Sequence, residues 1–155
     1  MSLPPITLEP IGIVHSPRVE PIDDDWAGIE SRIVLDNRFP SDATAGLEDF
    51  SHLEVLFHFH QVAPDKVNTG ARHPRGRTDW PAVGIFAQRA KARPNRLGLT
   101  TVEITRVDGH TIEVRGLDAI DGSPVLDLKP GMKEFLPRSE LRQPAWSSEL
   151  MRNYW

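Results

Sequence analysis

Two groups of side chains in this chain have the types and spacing to do chemistry. The first lies in VGIFAQRAKARPNRLGLT at 83–100. Its apolar opening, Val83, Ile85 and Phe86, reads as a buried strand running into Gln88 and Arg89, then Arg93, Pro94, Asn95 and Arg96. Pro94 fixes its own φ and keeps the residues before it extended. Gly98 permits close backbone approach or a positive φ. The product is a rigid, cationic loop of hydrogen-bond donors suited to a carboxylate, a phosphate or a polar small molecule. The alternative is a hairpin loop whose arginines are merely solvated. The second group is His58-Phe59-His60, which alternation along a strand would place with both imidazoles on one face. His-x-His on a strand is how a cupin-type metal site begins, but such a site needs a carboxylate and a further histidine. His73 falls in a loop and His110 in a turn, so two histidines lining a polar cleft, with no metal, is the preferred reading. Asp118, Asp121 and Asp127 lie near turns, where they serve either as caps or as acid–base partners.

Other chemistries are excluded. No Gly-x-Gly-x-x-Gly opens a helix after a strand, there is no Walker loop, and no serine stands in a nucleophile elbow. The absence of cysteine removes thiolate catalysis, disulfides and thiolate metal sites, and it suits a reducing cytoplasm. No apolar run is long enough to span a bilayer, and the first ten residues lack a signal-peptide core.

The elements that must position these groups are mostly strands. At 155 residues, with 39% hydrophobic and 26% charged side chains, one domain with its own core is expected. Strand signals fall at 6–8, 11–14, 32–35, 53–59, 83–86, 101–107, 111–115 and 124–128, with Asp108-Gly109 as a hairpin turn. Fourteen prolines argue against long helices, leaving short helical segments at 42–50 and 147–155, the latter capped by Ser147 or Ser148. The fold class is therefore mainly β with short helical segments, either an all-β barrel or a heavily β α+β domain. The Gly/Pro/Arg-rich stretch 63–80 is either a functional loop or disordered. The net charge of −4 hides an asymmetry. Residues 66–96 hold eight Lys/Arg and one acid, Asp79, whereas the rest holds ten basic and twenty-one acidic residues. A local positive patch on an acidic protein favours a focused anionic partner over tracking along a duplex.

Four ordered segments carry a resemblance: IGIVHSP at 11–17, GLEDFSHLEVLFHFHQ at 46–61, the 83–100 stretch, and GLDAIDGSPVLDLKP at 116–130. Together they resemble the TrmO/TsaA-like (YaeB-like, VirR) family of S-adenosylmethionine-dependent tRNA methyltransferases, over residues 11 to about 137. The resemblance implies a single-sheet β-barrel that forms a homodimer and binds S-adenosylmethionine. It also implies methylation at N6 of threonylcarbamoyladenosine at position 37 of certain tRNAs. By matching position, the cofactor residues are His60, Gln61, Gln88, Arg89, Asn95, Gly98, Leu99, Leu117, Asp118, Ala119 and Ile120, with the loop at 22–24 near them. An acceptor N6 that carries a carbamoyl group gains from losing its proton, and His58, His60 and Asp121 are the candidate bases. Arg72, Arg75, Arg77 and Arg93 are the candidate contacts to RNA.

The chain also departs from that pattern. Gln88 stands where the family more often has Thr, and Arg96 where it more often has Pro. The bacterial tRNA enzymes carry an additional C-terminal domain, whereas residues 1–155 are expected as one barrel domain, 137–155 being a short tail bearing Trp146, Tyr154 and Trp155. Exposed Trp and Tyr there fit an interface between two copies, or packing on the chain's own barrel. The expectation is a cytoplasmic methyltransferase with no membrane or metal partner, acting on tRNA or a related acceptor. The alternative is a non-catalytic module that binds S-adenosylmethionine or another anionic metabolite.

Overall fold

Every second side chain along 53–57 points into one core, and the strands that share that core close a sheet on itself. The computed structural model describes residues 1–155. Its strands are β1 (Gly12–His15), β2 (Glu30–Leu35), β3 (His52–His58), β4 (Ala71–Arg72), β5 (Val83–Gly84), β6 (Leu97–Asp108), β7 (Thr111–Arg115) and β8 (Pro124–Pro130). Six of them form a closed barrel in the order β1-β2-β7-β6-β3-β8, all neighbours antiparallel, with β8 returning to β1. β4 and β5 make a separate two-stranded ribbon.

Closure depends on one long strand. β6 pairs with β3 over its first half and with β7 over its second, and its register shifts between Ile104 and Arg106. A bulge of this kind bends a strand and raises its twist, which turns the corner of a small barrel. The interior is filled by Val14, Ile33, Leu53, Val55, Phe57 and Val102, with Ile112, Val114, Leu117 and Val125 completing it. Phe57 meets Phe59 edge to face at 5.3 Å. Gly98 lies across the ladder from Phe57, and a Cβ built on Gly98 would stand 2.5 Å from that ring. The glycine is thus there for close approach, its φ not being positive. Gly98→Ala should cost about 1–3 kcal/mol through overpacking, read as a lower urea midpoint. An unchanged midpoint would show that the ring can move aside.

Four expectations change. Residues 6–8 form no strand; Ile6 and Leu8 stay exposed with Pro4, Pro5 and Pro10 about them and no neighbouring strand to pair with. The strand expected at 83–86 is only Val83–Gly84, because Ile85–Ala87 winds into a 3-10 turn that buries Ile85 and leaves Phe86 exposed. The helical segment at 42–50 is two 3-10 turns, Ser41–Thr44 and Leu47–Asp49, divided by Gly46 at φ 88. Near the C-terminal end, α1 (Ala145–Leu150) begins at Pro144 without a side-chain cap, and the Ser147 hydroxyl donates to the Pro144 carbonyl. No helix is long and apolar enough to cross a membrane.

Candidate functional site

The cationic loop is braced from within. Gln88 is buried, and its amide donates to the carbonyls of Arg72 (3.0 Å) and Val83 (2.8 Å), tying the loop to both strands of the β4–β5 ribbon. Its own carbonyl accepts from Arg93 at 2.6 Å. Arg93 is extended before Pro94, and Asn95 and Arg96 then take positive φ values of 63 and 51. Arg96 donates to the Val62 carbonyl at 2.5 Å, Arg89 to that of Leu99 at 2.6 Å, and Lys91 to that of Pro21 at 3.3 Å. These partners are carbonyls, and no acid lies within ion-pair distance of Arg72, Arg89, Lys91, Arg93 or Arg96. The loop is therefore held rigid while its positive charge stays uncompensated, the condition for attracting an anion. Arg75 and Arg77 differ. Arg75 pairs with Asp24 at 2.9 Å, and Arg77 pairs with Asp79 while lying 4.0 Å over the Trp80 ring. Arg72 keeps a buried Nε with no partner.

Beside Thr100, which donates to Asp118, the chain between β7 and β8 presents a row of unpaired amides. Gly116, at φ 85, donates to Ile29, and Asp121 donates to the Arg18 carbonyl at 2.7 Å. Between them, the amides of Leu117, Asp118, Ala119 and Ile120 find no acceptor within the chain. Leu117 and Ala119 are buried in the core and Ile120 is 9% exposed. Four successive amides without partners in so enclosed a segment are unusual, because buried backbone groups are nearly always paired. They are donors left free to meet a ligand. The Asp118 carboxylate beside it accepts from the hydroxyls of Thr100 and Tyr154. Asp121 instead accepts from the Ser16 amide at 3.0 Å and lines a separate polar groove of about 640 Å³ with His15, Arg32 and Glu113.

The histidines depart from strand alternation. β3 ends at His58, and the His60 amide turns back to the His58 carbonyl at 2.9 Å, so the two rings are not successive same-face positions of one strand. His60 Nε2 lies 3.6 Å from where a Cβ on Gly122 would be, and its Nδ1 is buried without a partner. Gln61 is exposed beside it. Burial first, then the charges of Arg96 and His60, hold His58 below the ordinary imidazole value of 6.5. The unfolded chain therefore binds more protons than the folded one just below that value, so stability falls as pH drops through it. Urea titrations at stepped pH should show that loss, with a shallower slope in His58→Gln; equal slopes would contradict it. No group of three or more His, Asp or Glu is placed to hold a metal ion.

Hydrogen bonds tie Arg89 to Leu99 and Asp118 to Thr100, so Arg89, Gly98, Leu99 and the 117–120 edge gather along the first half of β6, and His60 lies next to Gly122. The structure leaves Asn95 exposed and turns Gln88 into a brace. Thr100 and Tyr154 were not foreseen. Alternation along β6 puts Thr100 on the same side as Gly98, a signal that was readable. Nothing in the local sequence links Tyr154 to Asp118, 36 positions earlier.

The chain is similar to several known proteins. A protein of Methanothermobacter thermautotrophicus described as a probable S-adenosyl-L-methionine-binding protein is 40% identical over 131 residues, covering 81% of this chain and 89% of its own. The human tRNA (adenine(37)-N6)-methyltransferase is 34% identical over 114 residues, which is 74% of this chain but only 25% of that enzyme. A crystal structure of TrmO from Pseudomonas aeruginosa superposes with a TM-score of 0.75 at 26% identity, covering 94% of this chain and 63% of that one. The profile of the tRNA-methyltransferase O N-terminal domain matches residues 16–135, and the chain belongs to that family.

Proposed function

We propose that this chain binds S-adenosylmethionine in the cleft between Arg89 and the 117–120 edge and transfers its methyl group to N6 of adenosine 37 in tRNA. The observation that carries the reading is the row of four unpartnered amides at Leu117, Asp118, Ala119 and Ile120 beside an uncompensated arginine. Unpaired amides flanked by apolar side chains suit a purine, whose ring nitrogens accept from fixed donors. Arg89 offers the charged donors that a carboxylate takes. The residues present therefore fit the cofactor, which when bound supplies an electrophilic methyl group on a sulfonium. The relatives described as binding S-adenosylmethionine, and those described as tRNA methyltransferases, point the same way.

The work left to the protein is orientation and proton removal. Holding donor carbon and acceptor nitrogen in line at roughly 3 Å accounts for most of what methyl transfer needs. Of the candidate bases, Asp121 is engaged in capping Ser16, whereas His58 is kept neutral and its ring has no hydrogen-bond partner. The base is accordingly an imidazole, His58 or His60. Arg72, Arg93 and Lys91 meet the tRNA backbone, where phosphate contacts fix register. Arg75 and Arg77, already paired with acids, contribute less. The acceptor is adenosine 37 bearing a threonylcarbamoyl group, and the protein works as a homodimer in the cytoplasm. Leu3, Ile6, Leu8, Phe135 and Leu136, exposed on the segments flanking the barrel, support a second copy.

Methyl-labelled S-adenosylmethionine incubated with tRNA carrying or lacking the threonylcarbamoyl group tests this. Label confined to the modified nucleoside is expected. Tight cofactor binding with no label in either tRNA would replace the reading with that of a binding module.

A further inference from the structure

The Asp118 carboxylate is held from two sides. Thr100, from β6, donates its hydroxyl to one oxygen, and Tyr154, from beyond α1, donates to the other. Tyr154 is itself fixed. The Asp25 amide donates to the Asn153 carbonyl at 2.9 Å and the Trp26 amide to the Tyr154 carbonyl at 2.8 Å. One turn earlier, Trp80 Nε1 donates to Glu149 at 2.8 Å. Trp26 and Trp80 are both buried where the tail crosses them. Burial and the negative charge of Asp118 push the Tyr154 phenol well above its ordinary value, against the pull of Arg89 and Arg75, so it remains a donor at physiological pH. Residues 153–155 lie outside the family match, which ends at 135.

The geometry points to Tyr154 as a positioning residue of the cofactor cleft, fixing the Asp118 carboxylate beside the bare 117–120 edge while the tail forms one wall. The inference rests on the cofactor reading above. Each carboxylate oxygen that accepts one hydroxyl keeps a second lone pair. A fixed Asp118 thus presents two acceptor sites to hydroxyl or ammonium groups of a ligand whose purine lies on the neighbouring amides. Without the phenol, Thr100 alone holds the carboxylate, and the tail keeps only its contacts to Asp25, Trp26 and Trp80.

Calorimetric titration with S-adenosylmethionine tests this on wild type, Tyr154→Phe, Asp118→Asn and the double variant. Tyr154→Phe should bind about tenfold more weakly, and the double variant no more weakly than Asp118→Asn alone, because Tyr154 acts through Asp118. A purely structural tail would lower the melting temperature of Tyr154→Phe and leave its affinity unchanged, which would overturn the inference. Tighter binding by Tyr154→Phe would also overturn it, showing a tail that competes with the cofactor. Absence of binding by the wild type would instead overturn the cofactor reading. Amide exchange in the wild type gives an independent arm that needs no variant. The Asp25 and Trp26 amides should exchange more slowly with S-adenosylmethionine bound, and faster exchange would overturn the inference.

Discussion

Arg89→Ala should weaken binding of S-adenosylmethionine about a hundredfold, a loss of about 2.7 kcal/mol. One guanidinium nitrogen of Arg89 is anchored to the Leu99 carbonyl at 2.6 Å, which aims the group, and its other donors have no partner in the chain. No acid neutralises it. An anchored, uncompensated guanidinium has already lost much of the side-chain freedom that binding would cost, and charge-assisted bonds to a carboxylate are about twice as strong as neutral ones. The contrast within the loop sharpens the test. Arg75→Ala removes an arginine whose charge Asp24 already offsets, so it should leave cofactor affinity nearly unchanged. Calorimetry on the two variants checks both statements; equal affinities would remove Arg89 from the site.

Phe57→Ala should have the largest effect on stability, about 3–5 kcal/mol, because it empties a well-packed position. That is a large share of the roughly 5–15 kcal/mol that holds a domain of this kind folded. Phe57 is 1% exposed, packs edge to face on Phe59, and fills the space that Gly98 leaves open on β6. The site stands on that contact, since Leu97, Gly98 and Leu99 pair with His58, Phe57 and Leu56 and carry the carbonyl that aims Arg89. The same packing couples the two residues. A shorter side chain in Phe57→Leu should restore part of the stability lost in Gly98→Ala, because it vacates the point of the clash. Urea unfolding of the single and double variants measures the coupling, and strict additivity would contradict it.

The barrel was legible because its strands obey one rule. Leu53, Val55 and Phe57 alternate with polar neighbours, Asp108-Gly109 marks the hairpin, and each inward set found the core. The strands that misled were those whose fate depends on a neighbour. Residues 6–8 have the composition of a strand but no adjacent edge, and 83–86 gives way to a turn as soon as Ile85 reaches its pocket. In the site, the arginines were legible as a cluster but not in their separate roles. Asp24 and Asp79 divide them into paired and unpaired sets, and Asp24 lies 51 positions from Arg75. Gln88 was assigned to the cofactor by matching position, and the sequence did not show that its amide nitrogen also donates to two carbonyls of the β4–β5 ribbon. The four bare amides could not be read from residue types at all, since they are defined by what fails to lie opposite them.

The most direct test of the central claim is a nitrogen-15 amide spectrum of the wild-type protein titrated with S-adenosylmethionine. The account predicts saturable shifts of the Leu117, Asp118, Ala119 and Ile120 amides, with smaller shifts at Arg89 and Leu99 and none at β4. Shifts confined to other residues, with the 117–120 amides unmoved at saturation, would contradict it.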